Sequence, residues 1–373
     1  MNRENLKDIK RWVVKIGSSM ITKAGEGLDY QRLDDWAGQI AQLQKQGKEF
    51  VLVSSGAVAT GLKVLNWQTK PTELDELQTA AAVGQISLAR AWQNAFEKYG
   101  ITIAQILLTH DDAADRRRYL NVKSALNKMC ELNIIPFINE NDTVSFDEIK
   151  FGDNDNLGAM VANVVNAGAY IILTDQKGMY NKNPREFSDA QFLEKVEVFN
   201  PDLLKMAGKV GGVLGSGGMH TKVLAAQKAA RSGTQTLLAY GYETEVIKRL
   251  SEGENLGTWF VAPQDSQSSK KQWLAGQVQV LGKLFLDEGA EKALKIQGSS
   301  LLPIGVKKIE GEFQRGSLVA CISPKGEEIA HGLINYDSED CLIFLGKKTS
   351  EIKRLLLHGE TLIHRDNLVL MGN

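Results

Sequence analysis

Phe50-Val51-Leu52-Val53-Ser54-Ser55-Gly56-Ala57-Val58-Ala59-Thr60-Gly61 is the stretch whose reading decides the fold. Its first residues form an apolar, β-branched run of strand length, which ends in two hydroxyls and a glycine before small residues at helical spacing begin. A strand that turns through glycine into a helix is half of a βαβ unit. Such a helix start exposes unpaired amides and a partial positive charge, which suits phosphate or carboxylate. The same residues also suit a close-packed corner between strand and helix.

The pattern repeats on both sides. Upstream, Trp12-Val13-Val14-Lys15-Ile16 reads as a strand, and Asp29 is placed to cap a helix with Leu33, Trp36, Ala37, Ile40 and Leu43 on one face. Downstream, strand-like runs at 101–108, 134–138, 170–173 and 236–239 alternate with helical segments around 84–98, 119–131, 156–167 and 219–232. The expectation is an α/β domain on a mostly parallel sheet, with ligands at the carboxyl ends of its strands. Residues 261–275 are rich in Ser and Gln and read as a linker, so the domains are 1–260 and 276–373. In the second, β-like runs at 278–286, 318–322, 341–345 and 361–364 around one helix near 289–297 predict a small mixed β-barrel.

Composition narrows the function. The 373 residues are 43% hydrophobic and 24% charged, which fits a folded globular chain, and the length suggests two domains or three. Lys plus Arg is 44 and Asp plus Glu is 45, so the net charge of −1 gives no general attraction to nucleic acid or an anionic membrane. Cys130, Cys321 and Cys341 show no C-x-x-C spacing and read as free thiols. No stretch approaches the ~20 apolar residues of a membrane span, and the charged start Met1-Asn-Arg-Glu-Asn-Leu-Lys-Asp-Ile-Lys10 is unlike a signal peptide. A cytoplasmic protein is expected. The five histidines lack metal-ligand spacing, so transition-metal chemistry is not expected.

Polar clusters stand where strands should end. Lys15, inside an apolar strand before Gly17-Ser18-Ser19, can hold phosphate oxygens together with turn amides, or can be an edge-strand lysine before a tight turn. Asn139-Glu140-Asn141-Asp142 follows one strand, and Asp153-Asn154-Asp155-Asn156 opens a helix. Either cluster alone suits a turn or cap, but together they exceed what one helix start uses and favour a site. Thr174-Asp175 ends another strand. Gly215-Ser216-Gly217-Gly218-Met219-His220-Thr221-Lys222 opens a helix with bare amides and a cation, without satisfying the G-x-x-x-x-G-K-[ST] phosphate loop.

Taken in order, Val-Val-Lys15-Ile-Gly-Ser-Ser, Val-Ser-Ser55-Gly-Ala-Val-Ala, Ala-Val-Gly84-Gln85, Asn-Glu-Asn-Asp142, Phe-Gly-Asp-Asn154-Asp155-Asn, Leu-Thr-Asp175-Gln-Lys-Gly and the 215–222 loop resemble the glutamate 5-kinases (γ-glutamyl kinases) of the amino acid kinase family. The tail, including Gly298-Ser-Ser-Leu-Leu-Pro303, resembles a PUA module, and the Phe-Gly-Gly-Thr-Ser opening typical of aspartate kinases is absent. The resemblance implies a three-layer αβα sandwich with a mostly parallel central sheet, followed by a PUA-like mixed β-barrel. It implies ATP-dependent phosphorylation of the side-chain carboxylate of L-glutamate, with Mg²⁺ bridging the phosphates, as the first step toward proline. By the same carry-over, Lys15, Lys222 and Asp155 are catalytic, and Ser55, Asp142 and Asn154 hold glutamate. Lys15, Thr174, Asp175 and residues Ser216, Gly217, Gly218, Met219, His220, Thr221 and Lys222 hold ATP. Proline inhibition and a homo-oligomer, dimer or tetramer, are also implied.

Ser216 stands where many relatives have Thr, which keeps the hydroxyl, and Asn183 where Asp is common, which removes a charge near the nucleotide. Two rival readings remain. An N-acetylglutamate kinase would leave Asp142 without an ammonium to meet. An RNA-binding protein working through its tail is disfavoured by the tail's charge, since residues 276–373 hold 12 Lys plus Arg against 13 Asp plus Glu.

Overall fold

The computed structural model describes residues 2–23, 27–109, 112, 115–144, 154–208, 218–263, 280–356 and 358–371. The chain divides into two compact units, residues 1–113 with 122–264, and residues 114–121 with 265–373.

The first unit is built on an eight-stranded sheet. Its strands are β1 (Arg11–Ile16), β2 (Glu49–Ser54), β3 (Ile103–Leu108), β4 (Ile135–Glu140), β5 (Ala169–Thr174), β6 (Lys195–Glu197), β7 (Gln235–Tyr240) and β8 (Thr258–Val261). They lie in the order β3-β4-β2-β1-β5-β7-β8-β6, and every pairing is parallel except β7 with β8. Strands covered on both faces read as unbroken apolar runs, and β4 and β5 are accordingly buried at every position.

Helix α1 (Tyr30–Lys45) begins as expected: the Asp29 side chain accepts from the backbone N–H of Arg32, and Leu33, Trp36, Ala37, Ile40 and Leu43 are buried. Helix α2 (Ala57–Val64) follows Gly56, whose φ of +104° is a left-handed conformation that glycine adopts without cost. Helix α3 (Leu74–Glu97) starts well before residue 84, where its pattern was expected to begin. Its first turns bury Leu77, Ala80 and Ala81, a stripe of mostly small side chains that carries little hydropathy. Helices α4 (Arg116–Glu131), α5 (Asn154–Val164), α6 (Met219–Ala230) and the unanticipated α7 (Val246–Ser251) follow.

Helices α2 and α3 meet backbone to backbone. A Cβ on Gly84 would stand 1.9 Å from the carbonyl oxygen of Ala57, and one on Gly61 would stand 1.7 Å from that of Ala80. No other residue type fits either position without moving a helix.

In the second unit, β9 (Gly282–Leu286), β10 (Val306–Glu310), β11 (Leu318–Ile322), β12 (Glu328–Leu333) and β13 (Leu368–Leu370) form a mixed sheet in the order β10-β9-β11-β12-β13, with only β9 and β11 parallel. Helix α8 (Glu288–Lys295) lies near where it was expected. The run at 341–345 is a correction: it belongs to helix α9 (Ser338–Phe344), because the Asp337 side chain caps the N–H of Asp340 and Cys341 and Phe344 share the buried face. The expected linker falls largely outside the described residues. All three cysteines are free and buried, and desolvation pushes the thiols of Cys130 and Cys321 up to about 11 and about 12.

The α2/α3 crossing yields a stability test. Gly84→Ala is expected to cost about 3 kcal/mol or more, the upper range for overpacking a filled site. Gly47→Ala, with open space around it but a φ of +87°, pays backbone strain alone, about 1 kcal/mol. Urea denaturation of both variants checks the ranking, and equal losses would contradict the contact.

Candidate active site

The carboxyl ends of β1, β2, β4 and β5 converge with the N-termini of α5 and α6. Lys15 is the fifth residue of β1, and being in a central strand it is 5% exposed, so the edge-strand alternative fails. Asp155 sits in the first turn of α5 at 1% exposure, and Lys222 in the first turn of α6 at 6%. The Lys15 ammonium is 2.6 Å from Asp155 Oδ1, and the Lys222 ammonium is 3.0 Å from Oδ2. Thr221 Oγ1 lies 3.2 Å from Oδ2 and 2.8 Å from the Gly218 carbonyl, either of which can accept its proton. Tyr170, whose hydroxyl donates to the Asp155 carbonyl at 2.9 Å, holds this turn of α5 from β5.

Burial alone would raise the Asp155 pKa. The charges and hydrogen bonds of Lys15 and Lys222 outweigh it and hold the carboxyl well below the usual carboxylate range. The group is therefore ionised at every physiological pH. It acts as a fixed anion that locks two cations from different elements into one site.

A second network lies beside the first. Asn154, next to Asp155, points its Nδ2 at Ser55 Oγ (2.9 Å), Asn139 Oδ1 (2.9 Å) and the Ser54 carbonyl (3.2 Å). Trp92 of α3 donates to Ser54 Oγ at 3.1 Å, fixing the end of β2. Asn139, on β4 and 1% exposed, donates through Nδ2 to Gln85 Oε1 of α3 at 2.8 Å. Asp142 joins Gln85, Glu140 and Asn141 in lining a cavity of about 230 Å³.

The expected residues thus fall into three groups. Lys15, Lys222 and Asp155 form one ionic cluster, with Thr221 attached. Ser55 and Asn154 are hydrogen-bonded to each other, and Asp142 lines a cavity with Gln85, which Asn139 links to Asn154. Thr174 and Asp175 end β5, the neighbour of β1, with the Thr174 hydroxyl donating to Asp175 Oδ1 at 3.2 Å. Gly218 is the N-cap of α6, with no atom of the described residues within 4 Å of where a Cβ would stand, and Met219 and His220 begin the helix. Ser216 and Gly217 lie outside the described residues, as do Asp153 and the 145–152 segment. Asn183 sits in an exposed turn, donating to Glu186 Oε1 at 2.7 Å. Tyr170 was not expected as a site residue, and Asn139 only as one member of the polar cluster 139–142 with no role of its own; the sequence signal is weak, an amide near the end of an apolar strand and a tyrosine inside another. Among the described residues, no group of three or more His, Cys, Asp or Glu could hold a metal ion.

This ionic cluster makes a pH-dependent contribution to stability. Asp155→Asn leaves two buried ammoniums without their anion and should cost about 3–5 kcal/mol, as for other broken buried pairs. Because the native pKa lies below the unfolded value of ~3.9, that contribution is complete above pH ~5 and disappears as pH falls through the native pKa. Chemical denaturation from pH 3 to 8 should show the gap between wild type and variant steady above pH ~5 and narrowing toward pH 3, and a gap of constant size throughout would contradict it.

The sequence pattern of the amino acid kinase family matches residues 10–239, and that of the PUA domain matches residues 282–356. The glutamate 5-kinase of Methylobacillus flagellatus is 51% identical over 98% of this chain and 99% of its own length. Those of Thioalkalivibrio sulfidiphilus and Nitrosospira multiformis are 48% and 50% identical, covering 99% and 98% of this chain and 99% of their own lengths. With its parallel sheet and its paired lysines, this chain belongs to the amino acid kinase family, is related to glutamate 5-kinases along nearly its whole length, and carries a PUA domain behind its kinase region.

Proposed function

We infer that this chain transfers the γ-phosphoryl group of ATP to the side-chain carboxylate of L-glutamate, giving L-glutamyl 5-phosphate on the route to proline. The observation that carries this reading is one buried carboxylate shared by two buried lysines beside a cluster of amides, in a chain about half identical to glutamate 5-kinases. A glutamate side chain with a pKa near ~4.3 is already ionised at neutral pH, so the nucleophile needs no general base. One carboxylate oxygen attacks the γ-phosphorus, the bond to the β,γ-bridging oxygen breaks, and ADP leaves without a proton transfer.

What remains is positioning and charge. In this reading Lys15 and Lys222 flank the transferring phosphoryl group, and Asp155 orients both. The N-terminal amides of α6 and the bare Gly218 N-cap suit polyphosphate. Thr174 and Asp175 serve the nucleotide, and Ser55, Asn154 and Asp142 serve glutamate, with Asp142 facing its ammonium. Magnesium enters as part of the substrate Mg·ATP. Both oxygens of Asp155 are engaged by lysines, so that carboxylate orients cations in place of binding a metal.

Hydroxylamine traps an acyl phosphate, so an ATP-dependent hydroxamate assay should respond to L-glutamate and not to L-aspartate or N-acetylglutamate. Response to the acetylated form alone would favour the N-acetylglutamate kinase reading. Lys222→Ala should lower kcat by about 100-fold or more, as for loss of a transition-state donor, with the KM for glutamate nearly unchanged. Near-normal turnover would remove Lys222 from that role.

Proline carries the α-carboxylate and the cationic amine of glutamate, so we extend the reading to inhibition at the glutamate site. Proline should raise the apparent KM for glutamate and leave that for ATP unchanged. Asp142→Ala should weaken both ligands together, by about 2–5 kcal/mol for an ammonium left without its partner. Calorimetry in which saturating glutamate leaves proline affinity untouched would place the inhibitor elsewhere, because mutual exclusion is reciprocal.

A further inference from the structure

We propose that Gln85 is a specificity-determining residue whose side-chain N–H₂ binds the α-carboxylate of the substrate. This rests on the reading of the chain as a glutamate kinase. The orientation of the amide follows from an unambiguous donor two links away. The backbone N–H of Glu140 donates to Asn139 Oδ1 at 2.9 Å, which fixes the Asn139 oxygen there and its Nδ2 toward Gln85. Gln85 must then present its oxygen to Asn139, and its Nε2 points away. Among the described residues that nitrogen has no hydrogen-bond partner, although Gln85 is 8% exposed. A buried donor without an acceptor costs about 1–3 kcal/mol, so a partner is needed when the site is in use.

The same reasoning applies at the other end of the chain. Asn154 turns its Nδ2 to the Ser54 carbonyl, which can only accept, so its Oδ1 is left as a buried acceptor with no donor among the described residues. Among the described residues the relay Gln85–Asn139–Asn154 therefore holds one unfilled donor and one unfilled acceptor in fixed orientation. An α-amino acid offers the complementary pair, an anionic acceptor and a cationic donor on one carbon. Gln85 lines the same cavity as Asp142, the residue proposed for the ammonium, so the group adjacent to that ammonium falls to Gln85. The side-chain carboxylate is then directed to the lysines around Asp155. Close helix contact at Gly84 fixes the neighbouring residue's backbone, which leaves Gln85 little freedom to retreat.

Two variants separate a ligand role from a structural one. Gln85→Glu keeps an oxygen for Asn139 and replaces the free N–H₂ by a second oxygen that repels a carboxylate. Gln85→Met keeps the length and loses both interactions. Both should raise the KM for L-glutamate, Met by about 10-fold or more, the loss of a hydrogen bond to a charged group, and Glu by more than Met. The kcat and the KM for ATP should stay within about threefold in both, since the contact is equal in ground and transition states. A milder effect of Glu than of Met, an unchanged KM in Met, or a parallel fall in kcat would overturn the proposal. Should Gln85→Glu fail to fold, the KM and kcat of Gln85→Met still decide it. Wild-type enzyme in the same hydroxamate assay keeps the two readings apart: silence with glutamate there would overturn the kinase reading itself, whereas an active wild type with unaltered variants would overturn only the role of Gln85.

Discussion

The ion pairs of Asp155 with Lys15 and Lys222 are the constraint around which the first unit is arranged. Burying a lysine or a carboxylate alone is costly, and only close pairing makes it tolerable. Here one anion serves two cations, and all three groups are buried. Two ammoniums held in this way are well placed to receive a polyphosphate. Among the described residues the side chains that pair with Asp155 are Lys15, Lys222 and Thr221. A group whose protonation changed near neutrality would weaken a site that works by holding charge constant.

Much of the scaffold that holds these groups was legible in the sequence. Lys15 stood in an apolar strand before glycine, and Asn154 and Asp155 at a helix start; the sheet brings Lys15 and Asp155 into contact, as the order of motifs implied. Periodicity was informative where large side chains made it visible, as in α1, where Trp36 and Leu33 mark the buried face. It failed in the first turns of α3, where alanines pack as tightly as leucines and carry little hydropathy, and at α9, where a short amphipathic run was indistinguishable from a strand without its Asp337 cap.

The amide relay was the least legible part. Gln85 stands in the sequence only as the end of the Ala-Val-Gly84-Gln85 motif, with no role attached, and Asn139 only as one member of the polar cluster 139–142. Their importance depends on three elements distant in sequence, α3, β4 and α5, meeting through 2.8–2.9 Å hydrogen bonds. No local pattern encodes that meeting. The glycines at 61 and 84 carry a trace of it, because their lack of side chains is what lets α3 approach α2 closely.

The position of β1 in the sheet has a consequence for how such enzymes diversify. On one side of it lie β2 and β4, after which stand Ser55 and Asp142; on the other lie β5, which ends at Thr174 before Asp175, and β7. Lys15 stands on the dividing strand. Under the proposed function, the two substrates meet separate flanks that share one seam. On that reading, mutations could rework the flank toward the phosphate acceptor while the flank toward the phosphate donor stays intact, so new acceptors could be acquired without reinventing the chemistry at the seam.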